Sequence, residues 1–170
     1  MSFLNRQGLD PDTRILDLGG ASDLSQMMGE KYQVSNTPEE MDLDYEYHGL
    51  GEGFDVVTAF EILEHMTNPF GVLSEIQAPK LLASVPLNLW FEDTWKGGGG
   101  TDKYKWHYHE FLPWQFDMLL EKTHWEIVDS LKVPYVGHNK IGIRPFLRRF
   151  YDKYYFVSCV RSADYTPPSA

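Results

Sequence analysis

The sequence predicts an α/β fold: a doubly wound, mostly parallel sheet of seven strands, or a trimmed version of it, with helices on both faces and the last strands antiparallel. Three observations predict it. Short apolar runs at 15–18, 54–60 and 81–85 read as strands buried on both sides. Segments with helical spacing lie between them, the alternation that builds parallel sheets. The first run stops on Gly19-Gly20, where the backbone can turn tightly and admit a ligand beyond the strand's carboxyl end.

The elements follow in order. Residues 1–13 read as a lead-in with a turn at Asp10-Pro11-Asp12. The first strand covers 14–18. Ser22 or Asp23 caps a helix through Glu30, with Leu24, Met27 and Met28 at helical spacing. A second strand at 32–35 ends on Asn36-Thr37-Pro38, and the acidic, turn-rich stretch 41–53 leaves room for a very short third strand at 41–43. The β-branched and aromatic run 54–60 is the clearest strand. Thr67-Asn68-Pro69 opens a helix whose stripe is Phe70, Val72, Leu73 and Ile76; Pro79 ends it, before a buried strand at 80–86. Residues 88–109 read as a loop or lid carrying Trp90, Trp95, four glycines at 97–100 and the run Trp106-His107-Tyr108-His109-Glu110. A helix at 113–122 precedes a strand at 125–131, and the last strand covers 154–161. No helical crossover separates these two strands, so they are expected to pair antiparallel. The chain reads as one domain over 1–170, with a core at 13–132, a basic segment and last strand at 133–162, and a frayed tail at 163–170.

Composition narrows the partners. A net charge of −10 argues against gripping nucleic-acid phosphates. Arg144, Arg148, Arg149, Lys153 and Arg161 gather late in the chain, and a solvated helix face is the expected reading over a phosphate patch. The single cysteine, Cys159, permits no internal disulfide framework and no thiolate metal cluster; it reads as a small buried hydrophobe. No apolar run approaches the ~20 residues of a membrane helix, and the amino terminus lacks a secretory pattern. The expectation is a cytoplasmic protein with no nucleic-acid partner and no membrane span; a homo-oligomer stays open.

Asp17, Asn36 and either Asp42 or Asp44 fall at successive strand ends, which line one crevice in such a sheet. Carboxylates and amides there can hold ribose hydroxyls or an adenine amino group. Diphosphate cofactors favour a G-x-G-x-x-G turn at a helix amino terminus. The run Gly19-Gly20-Ala21-Ser22-Asp23 does not supply it, and Asp23 would repel a phosphate. A positively charged, phosphate-free cofactor fits better.

The segments RILDLGGAS, FDVVTAFEILEHMTNPF and LLASVP together resemble class I S-adenosylmethionine-dependent methyltransferases, in particular the small-molecule branch with an FDvV…EVLEH motif. The resemblance continues more weakly through HYHEFLPWQFDMLLEKTHWEIVDS. It implies a Rossmann-like fold and S-adenosylmethionine as cofactor. Asp17 and Gly19 match the first motif, with Leu18 and Gly20 inside it, while Ala21 stands where a second glycine is usual. Asn36 stands where an acidic ribose ligand is expected. Asp42, with Leu43 beside it, falls where an adenine-contacting acid would lie; Asp44 is the alternative register. Phe60 and Glu61 close the strand before the signature that His65 completes. The usual R-x-L-K-P-G-G turn is reduced to Gln77-Ala78-Pro79-Lys80.

Methyl transfer is an in-line displacement that depends on alignment. His65, His107 and His109 are candidates for a general base, because histidine titrates near neutrality. His107 and His109 share one face of an extended segment, but with no third ligand in evident spacing no metal is expected. Glu61 and Glu64 can be read as surface carboxylates, and Trp90, Trp95, Trp106 and Tyr108 as a wall over the acceptor or as packing. The expected function is methyl transfer to an unidentified small molecule, such as a metabolite or glycan precursor. The alternatives are a catalytically silent methyltransferase-like binding or assembly module and, third, a nicotinamide-dependent oxidoreductase.

Overall fold

The computed structural model describes residues 2–90, 107–134 and 150–165. In these residues the chain forms α1 (Ser2–Asn5), β1 (Arg14–Asp17), α2 (Asp23–Gly29), β2 (Gln33–Asn36), β3 (Val56–Phe60), a 3-10 turn at Leu63–His65, α3 (Pro69–Glu75), β4 (Lys80–Pro86), α4 (Pro113–Lys122), β5 (Trp125–Pro134) and β6 (Asp152–Arg161). One six-stranded sheet runs β2-β1-β3-β4-β6-β5. The first four strands are parallel, and β6 is antiparallel to both its neighbours. The last two strands pair antiparallel as expected, and β6 sits inside the sheet between β4 and β5.

Alternation along the strands assigns each face. Leu16, Val57, Ala59, Leu81, Ala83 and Val157 pack with α3 and α4 through Val72, Leu73, Ile76, Phe116 and Leu120. Ile15, Val56 and Leu82 point the other way, onto Phe3 and Leu4 of α1 and Met28 of α2. The sheet is doubly wound as expected, with a helix at the amino terminus where a plain lead-in was expected. That helix is only four residues long, and two buried apolar side chains hold it rather than propensity.

Side-chain caps start α2 and α3. Ser22, not Asp23, caps α2: its Oγ accepts from the Ser25 amide at 3.1 Å while Ser25 Oγ accepts from the Ser22 amide at 2.9 Å. Asn68 Oδ1 accepts from the Gly71 amide at 3.0 Å, with Pro69 in the first turn of α3. The carboxyl end of α3 is closed from far along the chain. Arg161 donates to the Leu73 and Ile76 carbonyls and lies 3.9 Å from the ring centroids of both Trp125 and Tyr165. This arginine belongs to a strand and caps a helix, which corrects its reading as part of a solvated helix face. Arg144, Arg148, Arg149, Trp95, Trp106 and the glycines at 97–100 lie outside the described residues.

The third strand expected at 41–43 does not form. Asp42 Oδ1 accepts from the Asp44 amide at 3.0 Å, and the Asp42 carbonyl accepts from the Tyr45 and Glu46 amides. A short acidic side chain that bonds its own backbone two residues on favours a turn over a ladder. No helix among the described residues is long and apolar enough to cross a membrane.

Candidate active site

β1 carries Asp17 to the carboxyl edge of the sheet, between β2 and β3. Its carboxylate is buried, with Oδ1 accepting from Thr58 Oγ1 at 2.6 Å and Oδ2 from Asn36 Nδ2 at 3.2 Å. Asn36 Nδ2 also donates to the Gly19 carbonyl at 3.0 Å. Thr37 adds a third tie, with its hydroxyl on the Leu18 carbonyl at 3.0 Å. Burial raises the Asp17 carboxyl above its ordinary range, against the pull of the Thr58 and Asn36 bonds. Asn36 thereby donates to Asp17 without adding charge, whereas an ionised acid at that position would repel it.

Neither Gly19 nor Gly20 has a positive φ. A Cβ on Gly19 would meet only Asp17 Oδ2, at 3.9 Å, and one on Gly20 would meet Glu39 Cγ at 3.5 Å. Both are ordinary contact distances, so the protein's own packing does not require glycine at these two positions. Gly51 differs: its φ is +77° and a Cβ would fall 2.7 Å from Val57 Cγ2, so there the fold itself needs glycine.

A cleft of about 910 Å³ opens beside this turn, lined by Leu18, Gly20, Asp42, Leu43, His65 and Tyr108 among others. Its wall carries four carboxylates, Glu39, Glu40, Asp42 and Asp44, and no lysine or arginine among the described lining residues. The two candidate acids separate here. Asp44 Oδ1 accepts from the Thr67 and Asn68 amides at 2.8 and 3.0 Å, fastening the loop to the start of α3. Asp42 holds only its local turn.

Phe60 turns away. Its ring lies 6.0 Å from that of Phe156, in the apolar layer under α1 and α2. Glu61, at φ 51°, is in the left-handed region that non-glycine residues rarely adopt. Its amide donates to the Ser84 carbonyl and its Oε1 accepts from Ser84 Oγ at 2.7 Å. Burial lifts its carboxyl to about 7.

Glu64 is not a surface carboxylate. It is 1% exposed, its Oε2 has no hydrogen-bond partner, and burial with the nearby Glu61 charge pushes it up to about 8. The Glu64 backbone carbonyl accepts from the Tyr108 and His109 amides at 2.7 and 3.2 Å. This clasp stitches the His107–His109 segment onto the 3-10 turn. The rings of His65 and His107 meet edge to face at 4.6 Å. His65 faces the main cleft, whereas His109 stacks on Phe111 and lines a separate pocket of about 410 Å³. The structure thus brings two of the three candidate histidines together. Tyr108 lines the cleft, whereas the exposed Trp90 meets Tyr151.

The sequence reading missed Thr37, which locks the β1 end, and Ile62 and Met66, which floor the cleft. Thr37 carried a signal in the Asn-Thr-Pro strand stop. Ile62 and Met66 flank the Leu63-Glu64-His65 signature and were within reach of it.

The sheet order, the reversed β6 and the cleft beyond the parallel strands define the class I S-adenosylmethionine-dependent methyltransferase fold. The chain is similar to 1,6-didemethyltoxoflavin-N1-methyltransferase of Burkholderia thailandensis, solved with 1,6-didemethyltoxoflavin and S-adenosylhomocysteine. The two are 18% identical over 95% of this chain and 76% of that one, with a TM-score of 0.63. It is also similar to phosphoethanolamine N-methyltransferase 2 of Haemonchus contortus, solved with S-adenosyl-L-methionine. Here identity is 12% over 95% of this chain and 51% of that one, with a TM-score of 0.64. The cyclase SpnF shares the fold too, at 15% identity over 91% of this chain and 76% of that one and a TM-score of 0.55. One fold thus carries more than one chemistry. No protein-family model and no curated protein matches the chain.

Proposed function

We propose that this chain binds S-adenosylmethionine and transfers its methyl group to a small-molecule acceptor. The observation that carries the reading is the charge of the cleft. A strand-end cleft walled by Glu39, Glu40, Asp42 and Asp44, without lysine or arginine among its described lining residues, suits a sulfonium nucleoside and disfavours a dinucleotide diphosphate. The Burkholderia and Haemonchus neighbours, crystallised with S-adenosylhomocysteine and S-adenosyl-L-methionine, support the same cofactor.

In this reading Gly19 and Gly20, after Asp17 and Leu18, leave room for the methionyl end. Asn36 offers its Oδ1 to a ribose hydroxyl, since its amide nitrogen is engaged by Asp17 and Gly19. Asp42 and Leu43 flank the adenine. Phe60 serves only through packing, and Glu61 stands beside the reacting end. Of the three candidate histidines, His65 lines this cleft and stands nearest the acceptor, with the His107 ring against it. The acceptor's alignment with the sulfonium supplies most of the rate, since positioning alone is worth on the order of 7 kcal/mol or more.

Calorimetry with S-adenosylmethionine and S-adenosylhomocysteine tests the reading. Saturable binding of both, abolished or sharply weakened by Asp17→Ala, is expected. A folded chain that binds neither contradicts it, and heat with a nicotinamide dinucleotide would favour the oxidoreductase. Binding without turnover over a broad set of acceptors is the behaviour of a silent module.

A further inference from the structure

We propose that Glu64, His65 and His107 form a binding site for one divalent transition-metal ion at the edge of the cleft. One donor atom from each residue can be chosen so that all three lie within 4.8 Å of one another. Donors around a single ion at about 2.1 Å sit roughly 3.4 Å apart in a tetrahedron, so the three need to close by at most about 1.4 Å. Two imidazole nitrogens and one carboxylate oxygen suit zinc, manganese or cobalt better than magnesium or calcium, which favour all-oxygen shells.

A second observation points to a ligand independently of this spacing. Glu64 is 1% exposed, and its Oε2 meets no donor. Its Oε1 stands 3.8 Å from His65 Nε2, beyond hydrogen-bonding length. A carboxylate oxygen buried this deeply without a donor destabilises the fold unless the group neutralises or takes a cation. The same residue's backbone carbonyl clasps the Tyr108 and His109 amides, so the element that carries Glu64 and His65 also fixes where His107 stands. The three donors among the described residues leave at least one coordination position open to a further ligand. Because His65 lines the main cleft, that open position adjoins the space left for an acceptor. The absence of a metal expected from sequence rested on the lack of a third ligand beside His107 and His109. The fold supplies two from the 3-10 turn and leaves His109 out.

The test uses the tag-free chain, stripped with a chelator and titrated calorimetrically with zinc chloride and manganese chloride, with S-adenosylhomocysteine titrated in parallel. Saturable one-to-one binding of at least one ion is expected, accompanied by a rise in the thermal midpoint. Glu64→Gln and His107→Ala should each weaken it by about 10–100-fold or more, while His48→Ala, at the exposed His48–Glu75 pair, leaves it unchanged. No saturable binding with no thermal shift overturns the site, as does binding that survives in Glu64→Gln or disappears in His48→Ala. If Glu64→Gln does not fold, His107→Ala decides. The nucleoside titration keeps the two proposals separate: metal binding without S-adenosylhomocysteine binding sinks the methyltransferase reading alone, and the reverse sinks only the metal site.

Discussion

Asp17 and Glu64 are carboxylates buried to similar depth at one edge of the sheet, 6% and 1% exposed, yet their surroundings are opposite. Asp17 has a donor on each oxygen and ties β1 to β2 and β3. Glu64 has an oxygen with no donor and a second carboxylate, Glu61, acting against it. A satisfied buried carboxylate is part of the architecture, and its removal leaves other buried groups orphaned. An unsatisfied one costs the fold stability and is explained by something it binds. The cleft between them has one finished end and one unfinished end.

Their variants should differ in sign. Asp17→Ala strands the buried Thr58 hydroxyl, leaves Asn36 Nδ2 only the Gly19 carbonyl, and is expected to destabilise the chain by about 2 kcal/mol in urea unfolding. A cost near zero would mean that the Asp17 bonds are ornamental. Glu64→Gln is expected to leave the metal-free chain equally or more stable at pH 8. The pH dependence follows from the direction of the shift. The folded-state carboxyl is raised from 4.5 to about 8, so between these values the native state holds more protons than the unfolded state. Stability of the metal-free chain therefore falls as pH rises through that window, by on the order of a few kcal/mol, and levels off above it. Glu61, raised to about 7, acts in the same direction. Glu64→Gln should flatten most of this slope in unfolding curves recorded from pH 5 to 8.5; an unchanged slope would assign it elsewhere.

Much of this fold could be read from residue order because its signals are local. The strand at 80–86 and the helix at 113–122 fall where the apolar runs, Pro113 and the 3.6-residue spacing placed them. What could not be read was long-range. Nothing near Arg161 announces that it caps α3 across more than eighty residues. Glu64 looked like a surface carboxylate because its burial depends on a segment more than forty positions away folding back onto its carbonyl. Asp17 was legible as a site residue through its place before the glycines, but its bond to Asn36 was not, since β2 comes alongside only in the folded sheet. Asp42 and Asp44 were indistinguishable until the amides of Thr67 and Asn68 engaged one of them.

Two smaller substitutions probe the finished end. Asn36→Asp sets a second carboxylate beside Asp17 where an amide now donates at 3.2 Å; a loss of about 1–2 kcal/mol near neutral pH is expected, recovered as acid protonates the pair. A stabilising effect would show that the family-typical acid fits here after all. Gly19→Ala adds a methyl that meets only Asp17 Oδ2, at an ordinary contact distance of 3.9 Å, and should change stability by no more than about 0.5 kcal/mol. It should nevertheless weaken S-adenosylhomocysteine binding about tenfold, equivalent to about 1.4 kcal/mol, when measured by calorimetry. Equal affinity would mean that the nucleoside does not approach this turn.

The contrast between the two ends is tested most directly by crystals grown with S-adenosylhomocysteine and manganese and measured at the manganese absorption edge. The account predicts nucleoside density along Gly19, Asn36 and Asp42, and a separate anomalous peak bounded by Glu64, His65 and His107. Nucleoside elsewhere, or manganese only at surface carboxylates with Glu64 still unpartnered, would contradict it.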